Sequence, residues 1–211
     1  GRPIGNLVYM GMGEPFANQE AVFDSLEIIH DGFGLGARRI TVSTVGLIPG
    51  ILALAQRPEP FRLAVSLHAP NHELRLRLVP IERRYPIADL FAAIDEYQAR
   101  KGRRVTIEYT LIEGLNDARD TARELADLLG RRLVFVNLIP WNPIPGRDWK
   151  PSARSAVRGF LSTLLEAGVP AAIRTPRGRD IAAACGQLRL ERGVSAGLIP
   201  AGVPNHDPES A

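Results

Sequence analysis

Short apolar segments recur along this chain at intervals of about 30 residues, the length of one strand–helix–strand unit. They are rich in Val, Ile, Leu and Tyr and are bounded by turn residues, as the strands of a parallel sheet are. The segments comprise residues 6–12, 39–44, 62–68, 105–112, 133–140 and 171–174. Apolar residues between them share helical faces. These faces are formed by Val22, Leu26 and Ile29; by Leu90, Ile94 and Tyr97; by Leu125, Leu128 and Leu129; and by Val157, Leu161, Leu164 and Leu165. The pattern predicts five strand–helix repeats in a parallel α/β fold with right-handed crossovers.

A (β/α) barrel and an open doubly wound sheet both satisfy this alternation. The barrel is favoured because polar residues follow the carboxyl ends of the strands, where barrel enzymes build their sites. These residues are Glu14, Ser43, Ser66, His68, Asn137 and Asn142. We therefore predict a barrel-type core over residues 1–190. Residues 191–211 are rich in Gly, Pro and small side chains, which predicts a disordered tail.

Composition limits the classes of protein that this chain can represent. Hydrophobic residues make up 45% of the 211 residues, which suits a globular protein. No apolar run approaches the roughly 20 residues needed to span a bilayer, and the first residues lack the pattern of a secretory signal. These features predict a cytoplasmic protein that does not contact a membrane.

The basic residues are almost all arginine. Lys101 and Lys150 are the only lysines among 26 basic residues, and the formal net charge is +3. Arginine binds phosphate bidentately and stacks on bases, which suits an RNA partner, although a GC-rich genome would produce the same bias. Candidate phosphate contacts are Arg83, Arg84, Arg100, Arg103 and Arg104, for which solvated helix ends are the alternative interpretation.

A glycine turn with a carboxylate ends the first predicted strand. In Gly11-Met12-Gly13-Glu14-Pro15 the glycines allow a ligand to approach the backbone closely, and Glu14 can accept hydrogen bonds from an ammonium group. A purely structural turn is the alternative. A dinucleotide-binding fingerprint would need Gly or Ala at position 16, where Phe16 stands, so a Rossmann-type site is not favoured.

Cys185 is the only cysteine of the chain. A single cysteine excludes an internal disulfide and any all-cysteine metal site built from this chain alone. A lone cysteine is often a small buried hydrophobe, but the nearby Arg174, Arg177 and Arg179 would favour the thiolate. His68 and His72 are four residues apart, but Pro70 interrupts the helix that would align them, so they do not predict a metal site.

Several motifs in a fixed order resemble the radical S-adenosylmethionine (SAM) RNA methyltransferases of the RlmN type. They are, in chain order, Met10-Gly11-Met12-Gly13-Glu14-Pro15, residues 38–46, 63–71, 106–109, 136–143 and 177–181, and Ala184-Cys185-Gly186-Gln187-Leu188. The resemblance extends over almost the whole chain as far as Leu188, and several long motifs in order are far more specific than any one of them.

The resemblance implies a site at the carboxyl ends of the strands. Gly13, Glu14, Ser43, Ser66, Leu67, His68 and Asn142 would line the SAM pocket. Cys185 would be the cysteine that accepts a methyl group from one SAM molecule. A second SAM, cleaved by a reduced [4Fe-4S] cluster, would supply a radical, because carbon 2 of adenine is too electron-poor to attack a sulfonium methyl group.

The same resemblance implies that parts of the enzyme are missing from these residues. The cluster cysteines (Cys-x-x-x-Cys-x-x-Cys), a second cysteine that resolves the product, the first barrel strand and an N-terminal RNA-binding domain would all precede this chain. We therefore expect a partial barrel that binds no metal and is inactive alone. In the complete enzyme we expect 23S rRNA and tRNA as substrates, a flavodoxin-type electron donor, and a monomeric state.

Two other functions remain open at this point. A related resistance methyltransferase, which modifies carbon 8 of adenine in 23S rRNA, uses the same cysteine mechanism. A remnant that binds SAM or RNA without catalysis is the alternative from a different class of protein.

Overall fold

The computed structural model describes residues 4–11, 13–143 and 147–174. Apart from residues 10 and 11, these belong to one compact unit formed by residues 1–9 and 13–176; residues 10–12 and 177–211 form a second unit. The strands of the first unit are β1 Leu7–Tyr9, β2 Ile40–Thr44, β3 Arg62–Ser66, β4 Val105–Leu111, β5 Val134–Pro140 and β6 Ala171–Ile173. Its α-helices are α1 Gln19–Glu27, α2 Ile48–Gln56, α3 His72–Leu78, α4 Ile87–Lys101, α5 Arg119–Leu129 and α6 Arg154–Glu166.

All six predicted strands are present, and each is shorter than predicted. The strand β3 was expected to reach His68 and ends at Ser66. His68 has φ 60°, in the left-handed region, so the chain leaves the extended conformation there. The predicted boundary at residue 190 and the predicted tail over 191–211 lie outside the described residues.

The strands form one parallel sheet in the order β1-β2-β3-β4-β5-β6. A doubly wound sheet would need a reversal of this order, and the described residues contain none. Because right-handed crossovers between consecutive neighbours all place their helices on the same side, the helices cover one face of the sheet. The prediction of a barrel-type sheet is therefore confirmed, and the alternative of a doubly wound sheet is not. Strands β1 and β6 form the two edges of the described part of the sheet.

The two faces of the sheet differ in polarity. The register pairs Val65 with Ile107 and Ile107 with Val136, and these side chains belong to the core that the helices cover. The adjacent row on the other face pairs Ser66 with Glu108 and Glu108 with Asn137. Since side chains alternate along a strand, the central strands β3, β4 and β5 contribute apolar groups to the core and polar groups to the opposite face. That opposite face is available for a site.

The helices bury the predicted faces with one exception. Leu90, Ile94 and Tyr97 of α4 are fully buried, whereas Leu165 of α6 is 50% exposed. The prediction for Leu165 is wrong. The buried face of α6 includes Leu164, and the next residue along a helix points about 100° away from it, so Leu165 faces solvent. Within the described part of the chain, no helix has the length and apolarity needed to cross a bilayer.

Two helices were not predicted from the sequence. Helix α2 buries Gly50, Ile51, Leu54 and Ala55 and has few polar residues, so it shows no clear amphipathic period. Helix α3 has only 7 residues, about two turns. Its start is defined by Asn71, whose side chain accepts the Leu74 N–H at 2.9 Å.

Candidate functional site

Glu14 links the ends of the first two strands. It follows Gly13, which has φ 107°, a conformation that favours glycine. The carboxylate oxygen Oε1 accepts the Phe16 N–H at 3.1 Å, and Oε2 accepts the Val45 N–H at 2.8 Å. Each carboxylate oxygen has a second lone pair. Glu14 is therefore held in a fixed orientation and can still accept hydrogen bonds from a cationic ligand.

The predicted serines lie on the polar face of the sheet. Ser43 is buried next to the end of β2, and Ser66 is the half-buried last residue of β3. Thr44, between Ser43 and the following turn, is turned to the core, and its Oγ1 accepts the N–H groups of Gly46 and Leu47 at 3.0 and 3.2 Å. The hydroxyl groups of Ser43 and Ser66 thus lie on the same face of neighbouring strands.

Leu67 and His68 form the loop that follows β3. The Leu67 side chain is fully buried in the core and its N–H donates to the Glu108 carbonyl at 3.0 Å, so any contact of Leu67 with a ligand is made by its backbone. His68 Nδ1 accepts the Thr110 N–H at 3.0 Å. This bond requires an unprotonated Nδ1, and it attaches the His68 loop to β4.

Burial of the imidazole ring, assisted by the nearby positive charge of Arg75, lowers the pKa of His68 to about 4. The unfolded chain, with a histidine pKa near 6.5, binds a proton before the folded protein does. The free energy of unfolding should therefore be highest above pH 6.5 and fall as the pH drops from 6.5 to about 4, by at most about 3 kcal/mol from this residue.

The substitution His68→Asn should remove that part of the pH dependence. Asn tolerates the left-handed conformation, and its Oδ1 occupies the position of the histidine Nδ1, so the bond from Thr110 is retained. Urea unfolding of the 211-residue chain at a series of pH values measures the effect. If the free energy of unfolding of the variant falls between pH 6.5 and 4 as steeply as that of the wild type, another group causes the pH dependence.

Asn116 fixes the His68 loop, although no pattern in the sequence predicted this role. This residue is fully buried, and its Nδ2 donates to the carbonyl groups of His68 at 2.9 Å and Thr110 at 2.7 Å. Its Oδ1 accepts the Ile112 N–H at 2.8 Å. An asparagine in a turn is common, so no sequence signal distinguishes it from a surface turn residue.

Glu108 and Asn137 form a second polar pair on the sheet. Asn137 was expected to follow the carboxyl end of its strand and instead lies within β5, and Glu108 was not assigned to the site. Asn137 Nδ2 donates to Glu108 Oε2 at 2.9 Å on the polar face of the sheet. Burial raises the pKa of Glu108, while the bond from Asn137 and the charge of Arg174 act in the opposite direction. The alternation Thr106, Glu108, Thr110 in β4 was the available signal, because it places three polar residues on one face.

Two predicted site residues remain, Asn142 and Cys185. Asn142 follows the last residue of β5, Pro140, by two positions and so lies beyond the carboxyl end of that strand. Cys185, with Arg177 and Arg179, lies outside the described residues.

The candidate arginines divide between the two ends of the sheet. Arg83 and Arg84 precede α4, whose start faces the carboxyl ends of the strands. Arg100 lies in the last turn of α4, and Arg103 and Arg104 lie between α4 and β4. The length of the 15-residue helix, about 22 Å, separates them from Arg83 and Arg84. Arg100 also pairs with Glu96 at 3.0 Å, and the Arg104 guanidinium lies over the Phe135 ring. Only Arg83 and Arg84 therefore lie at the end of the sheet that carries the predicted cofactor residues.

The described residues include the polar side chains predicted to bind SAM, but they do not include the ligands of an iron–sulfur cluster. His68 and His72 have different partners, since His72 Nδ1 lies 2.8 Å from Glu82 Oε1. Among residues 4–11, 13–143 and 147–174, no group of three or more His, Cys, Asp or Glu side chains is arranged to hold a metal ion. A [4Fe-4S] cluster is held by cysteine thiolates, and the whole chain contains one cysteine, so its own residues do not fit the cluster.

Comparison with known proteins relates the chain to the radical SAM enzymes. The pattern of the Radical SAM superfamily matches residues 2–128. The chain is 53% identical over 192 residues to a protein of Moorella thermoacetica named "Probable dual-specificity RNA methyltransferase RlmN", covering 90% of this chain and 54% of that protein. A protein of the same name from Chloroflexus aurantiacus is 48% identical over 209 residues, covering 95% and 56%. The chain thus spans about half the length of these relatives.

Solved structures show the same relationship. A radical SAM methyltransferase from Sphaerobacter thermophilus superimposes with a TM-score of 0.86 at 52% identity, over 88% of this chain and 55% of that one. A domain of a pyruvate-formate lyase-activating enzyme from Bacteroides vulgatus has a TM-score of 0.63 at 18% identity, over 82% of this chain and 100% of that one. The second likeness concerns the fold alone.

Proposed function

Because the chain belongs to the radical SAM superfamily, we propose that it is the SAM-binding and methyl-accepting part of an RNA methyltransferase that acts on carbon 2 of adenosine in 23S rRNA and tRNA. The observation that carries this proposal is the Glu14 carboxylate, fixed by two backbone N–H groups at the carboxyl end of the sheet and able to accept further hydrogen bonds. The similarity to proteins named RlmN supports the choice of substrate.

The polar face of the sheet suits the parts of SAM. Glu14 would accept hydrogen bonds from the α-ammonium group. The hydroxyls of Ser43 and Ser66 would bond the carboxylate and the ribose, and the backbone at Leu67 and His68 would meet the edge of the adenine. Asn142 supplies both a donor and an acceptor beyond β5. Gly13 leaves room for the methionine portion to approach the backbone.

When bound, SAM and a [4Fe-4S] cluster supply the methyl group and the radical that this chemistry requires. The chain's own contribution is to orient SAM, to exclude water from the polar face, and to present the Cys185 thiolate as the methyl acceptor. The cluster ligands and the cysteine that resolves the product would come from outside these 211 residues.

RNA is the partner that we propose for the carboxyl end of the sheet. Arg83 and Arg84 are exposed at that end, where phosphate contacts would orient the substrate towards SAM. Arg103 and Arg104 are at the opposite end and do not suit this role. We further propose a monomeric, cytoplasmic enzyme that receives electrons from a flavodoxin-type donor.

The test is the identity of the modified nucleoside. An enzyme that contains this chain together with a cluster-binding segment should convert adenosine in 23S rRNA or tRNA to 2-methyladenosine, identified by mass spectrometry after digestion to nucleosides. 8-Methyladenosine would instead identify the resistance-type enzyme. If a cluster-loaded enzyme binds SAM and leaves both RNAs unmodified, the chain is a binding module without this activity.

A further inference from the structure

Two fully buried charged residues, Arg75 and Glu82, form an ion pair beside the candidate site. Both side chains are 0% exposed, and Arg75 Nη1 donates to Glu82 Oε2. The other oxygen of Glu82, Oε1, lies 2.8 Å from His72 Nδ1 and accepts the Ile87 N–H at 2.8 Å. Glu82 therefore ties the start of α3 to the start of α4 and holds Arg75 in one orientation.

The other end of the Arg75 guanidinium reaches the turn that follows β2. Its Nη2 donates to the Val45 carbonyl at 2.6 Å, and the N–H of the same residue, Val45, donates to Glu14 Oε2 at 2.8 Å. Gly46 follows with φ 112°, and a Cβ at that position would lie 3.1 Å from Arg75 Nη2. Glycine thus allows both the backbone conformation and the close approach of the guanidinium.

Stability alone does not account for this pair. Removing two charges from water costs free energy that a buried ion pair often fails to recover, and apolar residues of similar volume frequently serve as well. Within the described residues, Arg75 Nε is also buried without a hydrogen-bond partner. What a guanidinium offers and an apolar side chain does not is a rigid planar fork that fixes two acceptors relative to one another. Here the two acceptors are Glu82 and the Val45 carbonyl.

We propose that Arg75, held by Glu82, is a positioning residue for the SAM site: it fixes the Val45–Gly46 turn so that the Val45 N–H orients the Glu14 carboxylate. This inference rests on the proposed function, in which Glu14 binds the ammonium group of SAM. Arg75 does not contact the ligand and acts through Val45.

The first measurement concerns the Val45 amide and needs no ligand. In ¹H–¹⁵N spectra of the 211-residue chain, Glu14→Gln defines the change in the Val45 amide proton resonance when the charged acceptor is lost. Arg75→Met should move the same resonance in the same direction by at least half as much. The matched control is Arg132→Met. Near the start of β5, Arg132 donates two hydrogen bonds to the Asp95 carboxylate, at 2.6 and 2.9 Å. Their loss should leave the Val45 resonance in place.

The second measurement is a double-mutant cycle for SAM binding, measured by calorimetry on a cluster-loaded enzyme that contains this chain. We expect Glu14→Gln and Arg75→Met each to raise the dissociation constant by about 10-fold, the loss typical of a charge-assisted hydrogen bond. The double variant should bind no more than about twofold more weakly than Glu14→Gln, because residues that act through one another are not additive. If Arg75→Met does not fold, Arg75→Lys replaces it, since lysine keeps the buried cation but cannot hold both acceptors in a planar fork.

The outcomes separate this inference from the proposed function. Unchanged SAM affinity in Glu14→Gln, or no SAM binding at all, contradicts the proposed function, and the Val45 resonance still decides whether Arg75 positions the turn. If Glu14→Gln weakens binding while the Arg75 variants change neither the resonance nor the affinity, the positioning role is wrong. Fully additive losses in the double variant would also overturn it, since they would mean that Arg75 affects SAM independently of Glu14.

Discussion

Replacing Cys185 with alanine in a cluster-loaded enzyme that contains this chain is expected to abolish methylation of adenosine. The thiolate is proposed to take the methyl group by displacement before it reaches the RNA, and alanine has no group that can accept it. We expect the yield of 2-methyladenosine to fall to below about one thousandth of the wild-type value, as is usual when a covalent nucleophile is lost. Mass spectrometry of digested RNA measures this yield.

The control for this experiment is the affinity for SAM, which Cys185→Ala should leave unchanged. Equal affinity shows that the loss of methylation comes from the missing acceptor and not from a damaged cofactor pocket. Cys185→Ser provides a second comparison, because a serine hydroxyl has nearly the same size but is not ionised at neutral pH. Continued formation of methylated adenosine in either variant would refute the role proposed for Cys185.

Replacing Gly50 with alanine is expected to destabilise the described unit by about 3 kcal/mol and to lower the melting temperature by about 10 °C. A Cβ on Gly50 would lie 2.2 Å from Cγ and 2.4 Å from Cβ of Phe16, and Phe16 is itself buried. The Phe16 backbone N–H binds Glu14, so the clash would also disturb the candidate site. Urea unfolding followed by circular dichroism measures the loss.

Gly159→Ala is the matched control for this prediction. Both glycines lie inside helices, where alanine is intrinsically favoured by about 1 kcal/mol. At Gly159 the nearest atom to a Cβ would be Arg119 Nε at 3.2 Å, within a flexible side chain that can move aside. We therefore expect Gly159→Ala to be neutral or slightly stabilising. Equal unfolding midpoints for the Gly50 variant and the wild type would contradict the tight packing of α2 on Phe16.

The local sequence pattern was sufficient to predict the strands and most of the α-helices. The six apolar segments became the six strands, because a buried parallel strand needs several successive residues of high β-propensity between turn residues. Helix α4 was predictable because Leu90, Ile94 and Tyr97 recur on one face. Helix α2 was missed since an almost wholly apolar helix has no polar face to reveal its period.

The site could be predicted only where its residues lie next to one another in sequence. The turn around Gly13 and Glu14 combines a glycine conformation with a carboxylate, and the resemblance to a known family extended the prediction to Ser43, Ser66, Leu67, His68 and Asn142. All of these lie at or beyond the carboxyl ends of strands in the described structure. Their contact with SAM, and the role of Cys185, remain predictions.

The amino-acid order on its own determined the strands and turns of a parallel α/β fold, since strand periodicity and turn residues are properties of neighbouring residues in the chain. The chemistry of the site is what the resemblance to a known family implies. The tertiary structure decided which polar residues support that site. Arg75 and Val45 are 30 positions apart, and Asn116 and His68 are 48 positions apart, so no local pattern relates them. A buried polar group must find its partner within the interior to offset its desolvation, and only the folded packing brings the two together.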